Sequence, residues 1–412
     1  MRRVLVFQLA RFGDLIQTKR LLLSVLAEDG RELHLCLDES LAALARLLYP
    51  RAILHTLPAH RGARSPEAVM AAARRTFAAL RALVFEDVYF LNFSPLSFAC
   101  ASLFDADQCR GYARVNGQDM SGRWPSISFN LMADRRFSPL NLADLWALLH
   151  PSPVAPETVN PIPRASGRQR IGVVMAGRES RRSLPPPVLA NCVQAIFQAR
   201  GGPEIVCIGS KSEGALARRL RRELPAQTVE KTADLTGKTA LTDLPELLQS
   251  LDLLVTPDTG AMHLAAHLGT PVQAFFLSSA WCWETGPYGF GHTVWQALPP
   301  CSPCLESAPC PNKTVCLSPF AEAGFLAHLA GRRGESWPEG LIGCVSMLDD
   351  MGVTYKNVDG GDPYQDARRE LRSGLSAHFG ADGSVTPFMR QDLAEYLYTE
   401  KNWMLPPNWT KG

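Results

Sequence analysis

Three groups of residues in this chain have the types and the spacing to do chemistry. One is Asp258-Thr259-Gly260 followed by His263, with Gly269-Thr270-Pro271 closing the segment. Another is Gly13-Asp14, directly after Arg11-Phe12 near the amino end, and the third is the basic pair Arg181-Arg182. Asp and Thr ahead of a helix offer oxygens to its unpaired N–H groups, and the positive end of the helix dipole there favours an anion. An aspartate after a glycine at a strand-to-helix turn is either the cap of that helix or a base held close to a ligand. Paired arginines are either a solvated basic loop or planar forks for a phosphate. Of the three, the helix start at Asp258-Thr259-Gly260 points by itself to a phosphate-bearing ligand.

Cys301, Cys304, Cys310 and Cys316 form a fourth group, spaced C-x2-C-x5-C-x5-C. Such spacing suits a structural zinc or iron-sulfur site, with reduced thiols or a labile disulfide as the alternatives. None of these makes the cluster catalytic. The remaining cysteines, Cys36, Cys100, Cys109, Cys192, Cys207, Cys282 and Cys344, are scattered through apolar segments, as expected of buried reduced thiols in a cytoplasmic protein.

The elements that must position these residues alternate between strand and helix. Asp252 to Thr256 is a short apolar run, as in a strand buried on both faces of a parallel sheet, and Pro257 ends it. Ala261 to Leu268 follows as a helix, stopped by Gly269-Thr270-Pro271, and Val272 to Leu277 is the next strand. The Asp-Thr-Gly turn therefore lies at the carboxyl end of a strand and the amino end of a helix, where anions bind in α/β sheets. At the amino end, Arg2 to Leu9 is a strand and Leu15 to Ala27 a helix, with Asp14 in the turn between them. Strands at 32–37, 52–57 and 87–91 alternate with helices at 41–48 and 66–83, which implies a parallel sheet with right-handed crossovers. Residues 116–140 read as an irregular loop, either lining a cleft or covering one. Residues 151–163 carry five prolines and mark a domain boundary. A second strand begins at Arg170 and leads straight into Arg181-Arg182. The turn 209–213 is not a P-loop, and no G-x-G-x-x-G follows either first strand.

The formal net charge is +2, so nothing global points to nucleic acid as a partner. No apolar run approaches the roughly 20 residues of a membrane span, and MRRVLVFQLARFGD reads as a first strand rather than a signal peptide.

The stretch LTGKTALTDLPELLQSLDLLVTPDTGAMHLAAHLGTPVQAFF resembles the donor-domain signature of glycosyltransferase family 9, the family of the lipopolysaccharide heptosyltransferases. The resemblance covers roughly residues 1–325. It implies the α/β GT-B architecture of two Rossmann-like doubly wound domains facing across a cleft, acceptor-side over 1–155 and donor-side over 156–325. Residues 326–412 are then a C-terminal extension of uncertain role. The resemblance further implies that Asp258, Thr259, Gly260 and His263 bind a nucleotide diphosphate sugar, with Arg182 and the adjacent Arg181 on its diphosphate. Asp14 becomes the general base, and Gly13 and Arg11 belong to the acceptor-side loop.

The implied reaction is inverting transfer of a heptose-like sugar, with ADP-heptose as donor and a lipopolysaccharide core or other glycan or lipid-linked acceptor at the membrane surface. The transfer then requires no cofactor, and the enzyme is cytoplasmic, peripheral to the inner membrane. The alternatives are a different donor, a protein or small-molecule acceptor, or a non-catalytic nucleotide-sugar binding protein. The sequence leaves the oligomeric state open.

Overall fold

A computed structural model describes residues 2–60, 62, 64–131, 134–176, 180–305, 308–332 and 334–379. The chain divides into two compact units. The first holds the described parts of Met1–Ser138, Ala143–Val154 and the residues from Glu370 onward, and the second holds Pro139–Leu142 and Ala155–Arg369.

In the first unit the chain runs β1 (Arg2–Gln8), α1 (Phe12–Gln17), α2 (Lys19–Ala27), β2 (Arg31–Asp38), α3 (Ala42–Leu48), β3 (Ile53–Leu57) and α4 (Pro66–Arg81). It continues with β4 (Asp87–Phe90), α5 (Pro95–Ala101), β5 (Cys109–Val115), β6 (Gln118–Ser121), α6 (Arg123–Leu131) and α7 (Leu142–Ala147). The strand order is β3-β2-β1-β4-β5-β6, parallel except for the antiparallel β5–β6 pair. β1 is central, and its apolar run is buried from Val4 onward, with Phe7 stacked on Phe90 of β4 at 4.6 Å. Ser65 caps α4 through Ala68 N–H, with Pro66 next in line, a sequence signal that the fold uses directly.

Two expectations need correction here. The single helix over 15–27 is two, because Thr18 Oγ1 turns back to the Asp14 carbonyl at 2.9 Å and also accepts from Gln8 Nε2 at 3.1 Å. The irregular region 116–140 contains the hairpin strand β6 and helix α6. Gly111 makes that hairpin possible: at φ +89° any Cβ would lie 2.3 Å from the Phe90 carbonyl oxygen.

The second unit contains β7 (Arg170–Val174), α8 (Pro186–Ala199), β8 (Glu204–Ile208), α9 (Gly214–Glu223), α10 (Ala226–Glu230) and β9 (Thr232–Asp234). Then come α11 (Leu244–Gln249), β10 (Leu253–Pro257), α12 (Gly260–Leu268), β11 (Val272–Phe276), α13 (Cys282–Thr285) and β12 (Thr293–Ala297). The described chain ends with α14 (Ala323–Leu329), β13 (Leu341–Asp349), β14 (Gly352–Asp359) and α15 (Gln365–Phe379). The strand order is β14-β13-β12-β11-β10-β7-β8-β9, with β9 to β12 parallel and β12–β13–β14 antiparallel. The sequence reading has no strand in the region of β13 and β14. They form a hairpin that prolongs the sheet, and Asp349 caps its turn through Met351 N–H.

Helix α15, within the C-terminal extension, begins at Gln365. Arg368 fastens it: the guanidinium pairs with Asp362 and lies 3.5 Å from the ring centroid of Trp283. Residues 392–398, Trp403 and Trp409 fall outside the described residues. Among the described residues no helix is long and apolar enough to cross a membrane.

Buried polar groups lead to two expectations. Arg20 and Asp144 pair at 2.6 Å with side chains 2% and 0% exposed, so Asp144→Ala strands a buried cation and lowers unfolding free energy by about 3 kcal/mol in a denaturant titration. His292 is fully buried, and burial pushes its imidazole down to about 4, against a smaller upward pull from the Tyr288 backbone. The unfolded chain therefore binds the proton first, and stability falls as pH drops from about 6.5 to about 4. Denaturation midpoints at pH 7.5 and pH 5 measure this loss, and His292→Gln removes its share of the slope.

Candidate functional site

In the second unit the site grows from the β10–α12 turn. β10 is buried along its length and delivers Asp258 to the start of α12. Thr259 is the N-cap: its backbone is extended, its Oγ1 accepts from Met262 N–H at 3.3 Å, and Thr256 Oγ1 lies 3.0 Å away. At the other end of the helix, Gly269 takes φ +77°, where a Cβ would come within 2.8 Å of Pro161.

Asp258 is 7% exposed and is held from three directions. Arg182 donates to its Oδ2, Thr285 Oγ1 donates to the same oxygen at 2.8 Å, and His263 Nε2 stands 3.7 Å from Oδ1. Burial works to raise the Asp258 carboxyl, but the His263 hydrogen bond and the Arg182 charge outweigh it and hold the group below its ordinary value. The sequence-predicted Arg182, Asp258, Thr259, Gly260 and His263 are thus brought together at one strand-to-helix turn. Thr285, from α13, completes the arrangement and was not foreseen.

Arg181 goes elsewhere. Its Nη1 donates to the Ala308 carbonyl at 2.6 Å, beside the cysteine loop rather than the helix start. Leu184 is 5% exposed and belongs to the hydrophobic core around β7 and α8.

The four clustered cysteines are free thiols. Burial raises the Cys304 and Cys316 thiols, whereas backbone N–H groups of Thr314 and Asn312 lower that of Cys310. Among the described residues no group of three or more His, Cys, Asp or Glu side chains is arranged to hold a metal ion. The other seven cysteines are free as well, and all of them except the half-buried Cys109 are buried.

In the first unit Asp14 sits in the first turn of α1, half-buried, and its Oδ2 accepts from Arg11 N–H at 3.0 Å. Capping and availability to a ligand therefore coexist, because the second carboxylate oxygen is not used by that bond. Arg11 is exposed. Polar side chains that the sequence reading passed over surround this loop: Gln8, Asp38, His60 and Asn92. The available signal was position, since Gln8 and Asp38 end β1 and β2 and Asn92 follows β4, all at carboxyl ends of parallel strands.

A separate concavity of about 520 Å³ is lined by residues that include Arg168, Arg170, Lys238 and Glu246, and by none of the predicted site residues.

Residues 192–315 match the family model for glycosyltransferase family 9 (heptosyltransferase), a segment that contains the whole β10–α12 turn. Over that segment, about 30% of its length, the chain is similar to glycosyltransferase family 9. Within curated proteins, lipooligosaccharide heptosyltransferase 2 of Haemophilus influenzae is 31% identical over 75 residues, which is 18% of this chain and 22% of that protein's length. Among solved structures, E. coli heptosyltransferase WaaC with ADP is similar at 17% identity and a TM-score of 0.52, over 70% of this chain and 91% of its own. The family 9 glycosyltransferase from Veillonella parvula is similar at 17% identity and a TM-score of 0.50, over 72% and 88%. The two α/β units therefore follow the GT-B fold of these family 9 structures.

Removing the carboxylate is the sharpest test of how this turn is held. Asp258→Ala leaves the Arg182 and His263 partners of a buried anion behind and lowers unfolding free energy by about 3 kcal/mol in a chemical denaturation series.

Proposed function

We propose that the chain is an inverting glycosyltransferase that moves a heptose-like sugar from a nucleoside diphosphate donor, ADP-heptose first among them, to a hydroxyl of a lipopolysaccharide-core or similar glycan acceptor. The observation that carries this reading is the buried Asp258, with Arg182, Thr285 and His263 around it, at the start of α12 inside the family-matched segment. The name of the similar ADP-bound WaaC structure supports the choice of nucleotide.

In this reading the acceptor oxygen attacks the anomeric carbon, its proton passes to Asp14, and the bond from that carbon to the donor phosphate oxygen breaks, releasing the nucleoside diphosphate. Attack from the face opposite the leaving group inverts the anomeric centre. The growing charge on the diphosphate meets the N–H groups at the start of α12 and the Arg182 guanidinium, which Asp258 keeps oriented. His263 either assists the phosphates or helps hold Asp258. Arg181 donates through Nη1 to the Ala308 carbonyl, so the guanidinium assigned to the diphosphate is that of Arg182. The cysteine cluster takes no part in transfer. An acceptor carried on a lipid places the work at a membrane surface.

Calorimetry with nucleoside diphosphates and nucleotide sugars tests the reading. An ADP-sugar binds wild type, and Arg182→Ala binds it about 10- to 100-fold more weakly, the scale of lost charge-assisted hydrogen bonds. Asp14→Asn retains that binding and loses transfer. Preference for UDP or GDP moves the donor, and no binding to any of the panel overturns the proposal.

A further inference from the structure

We infer that Gln8, Asn92, His60 and Asp38 form a cradle that positions Asp14, an assignment that rests on reading Asp14 as the base. The loop Leu9-Ala10-Arg11 carries the chain from β1 into α1, and its polar backbone groups end on side chains. Leu9 N–H donates to Asn92 Oδ1 at 2.6 Å, and the Leu9 carbonyl faces His60 Nε2 at 3.1 Å. Ala10 N–H donates to Gln8 Oε1 at 3.3 Å, and Arg11 N–H donates to Asp14 itself.

These side chains are held in turn. Asn92 Nδ2 donates to Gln8 Oε1 at 2.6 Å, and Gln8 Nε2 donates to Thr18 Oγ1, which donates to the Asp14 carbonyl. The direction of the Gln8 amide follows from the network: its oxygen faces two N–H donors and its nitrogen faces a hydroxyl that passes its own proton on. Asp38 accepts from the His60 backbone N–H at 2.8 Å and lies 3.4 Å from its ring Nδ1. The cradle thus draws one side chain from each of β1 and β2 and one from each segment after β3 and β4.

Water would satisfy an exposed loop at no cost in buried polar groups. Gln8 is instead 1% exposed and Asp38 2%, and burying such groups is unfavourable unless every bond is made. A fully bonded cradle fixes the backbone on both sides of the turn, and so fixes where the Asp14 carboxylate stands. None of the four side chains needs to touch a reacting atom. They are positioning residues, and a misplacement of the base by about 1 Å costs on the order of 100-fold in rate.

The test compares Asn92→Leu, which keeps size and loses both hydrogen bonds, with Asn92→Asp, which keeps the acceptor for Leu9 N–H. Hydrogen exchange of the Leu9 and Ala10 amides reads the cradle, and steady-state kinetics with an ADP-sugar read its consequence. The expected result for Asn92→Leu is exchange faster by about tenfold and kcat lower by about 10- to 100-fold, with donor affinity within about twofold of wild type. Asn92→Asp keeps the Leu9 acceptor but sets an oxygen against Gln8 Oε1, so it recovers only part of the exchange protection and of kcat. Should Asn92→Leu fail to fold, His60→Gln, whose amide still reaches the Leu9 carbonyl, and His60→Ala give the same comparison from the other side of the loop. Faster exchange with unchanged kcat, or donor affinity falling together with kcat, overturns the positioning role. A wild type that binds donor but transfers nothing overturns the transferase reading itself, which the exchange data would show separately from the state of the cradle.

Discussion

The second unit is arranged around a carboxylate kept ionised out of water. Asp258 stands where unpaired N–H groups and a helix dipole favour negative charge, yet burial works against it. Three connections must converge to resolve that conflict. The segment after β7 brings Arg182, α12 brings His263 and α13 brings Thr285. Moving any one of them removes part of that compensation, so the carboxyl ends of β7, β10 and β11 are tied to a common point. The same tie holds a guanidinium beside a helix start, which is the arrangement that a diphosphate needs.

The first unit solves a related problem with neutral groups. A loop that must not move is pinned through amides, the Thr18 hydroxyl and the His60 imidazole, with one carboxylate, Asp38, at the periphery. The contrast suits the two tasks assigned to them. A leaving diphosphate calls for net positive charge, whereas a base is best left with its own charge and a fixed position.

Much of this was readable from local pattern. The β10–α12 unit announces itself by a short apolar run, a proline, two capping residues and a closing glycine, all within one stretch, and the alternation of strands and helices carried the parallel sheets. What escaped depends on distance in the chain. Asn92 meets Leu9 and Gln8 across more than 80 residues, and Arg181 finds its carbonyl acceptor at Ala308 on the far side of the unit's sequence. The break at Thr18 is invisible locally because its second partner is a strand residue. β13 and β14 escaped for another reason: the first four residues of β13 are all buried and the register shifts between Gly343 and Cys344, so the period-two alternation that marks a half-exposed strand is absent from the start of β13.

That late hairpin also bears on solubility. A parallel sheet ending at β12 would offer a row of unpaired backbone groups to any other extended chain. β13 covers the row, and β14 takes over as the outer strand, with Lys356 exposed and Asp359 near its end. Charged side chains on an outer strand discourage further pairing. The residues beyond the region of strongest family resemblance thus act as a guard on the sheet, and a chain shortened before Leu341 would trade that guard for an adhesive edge.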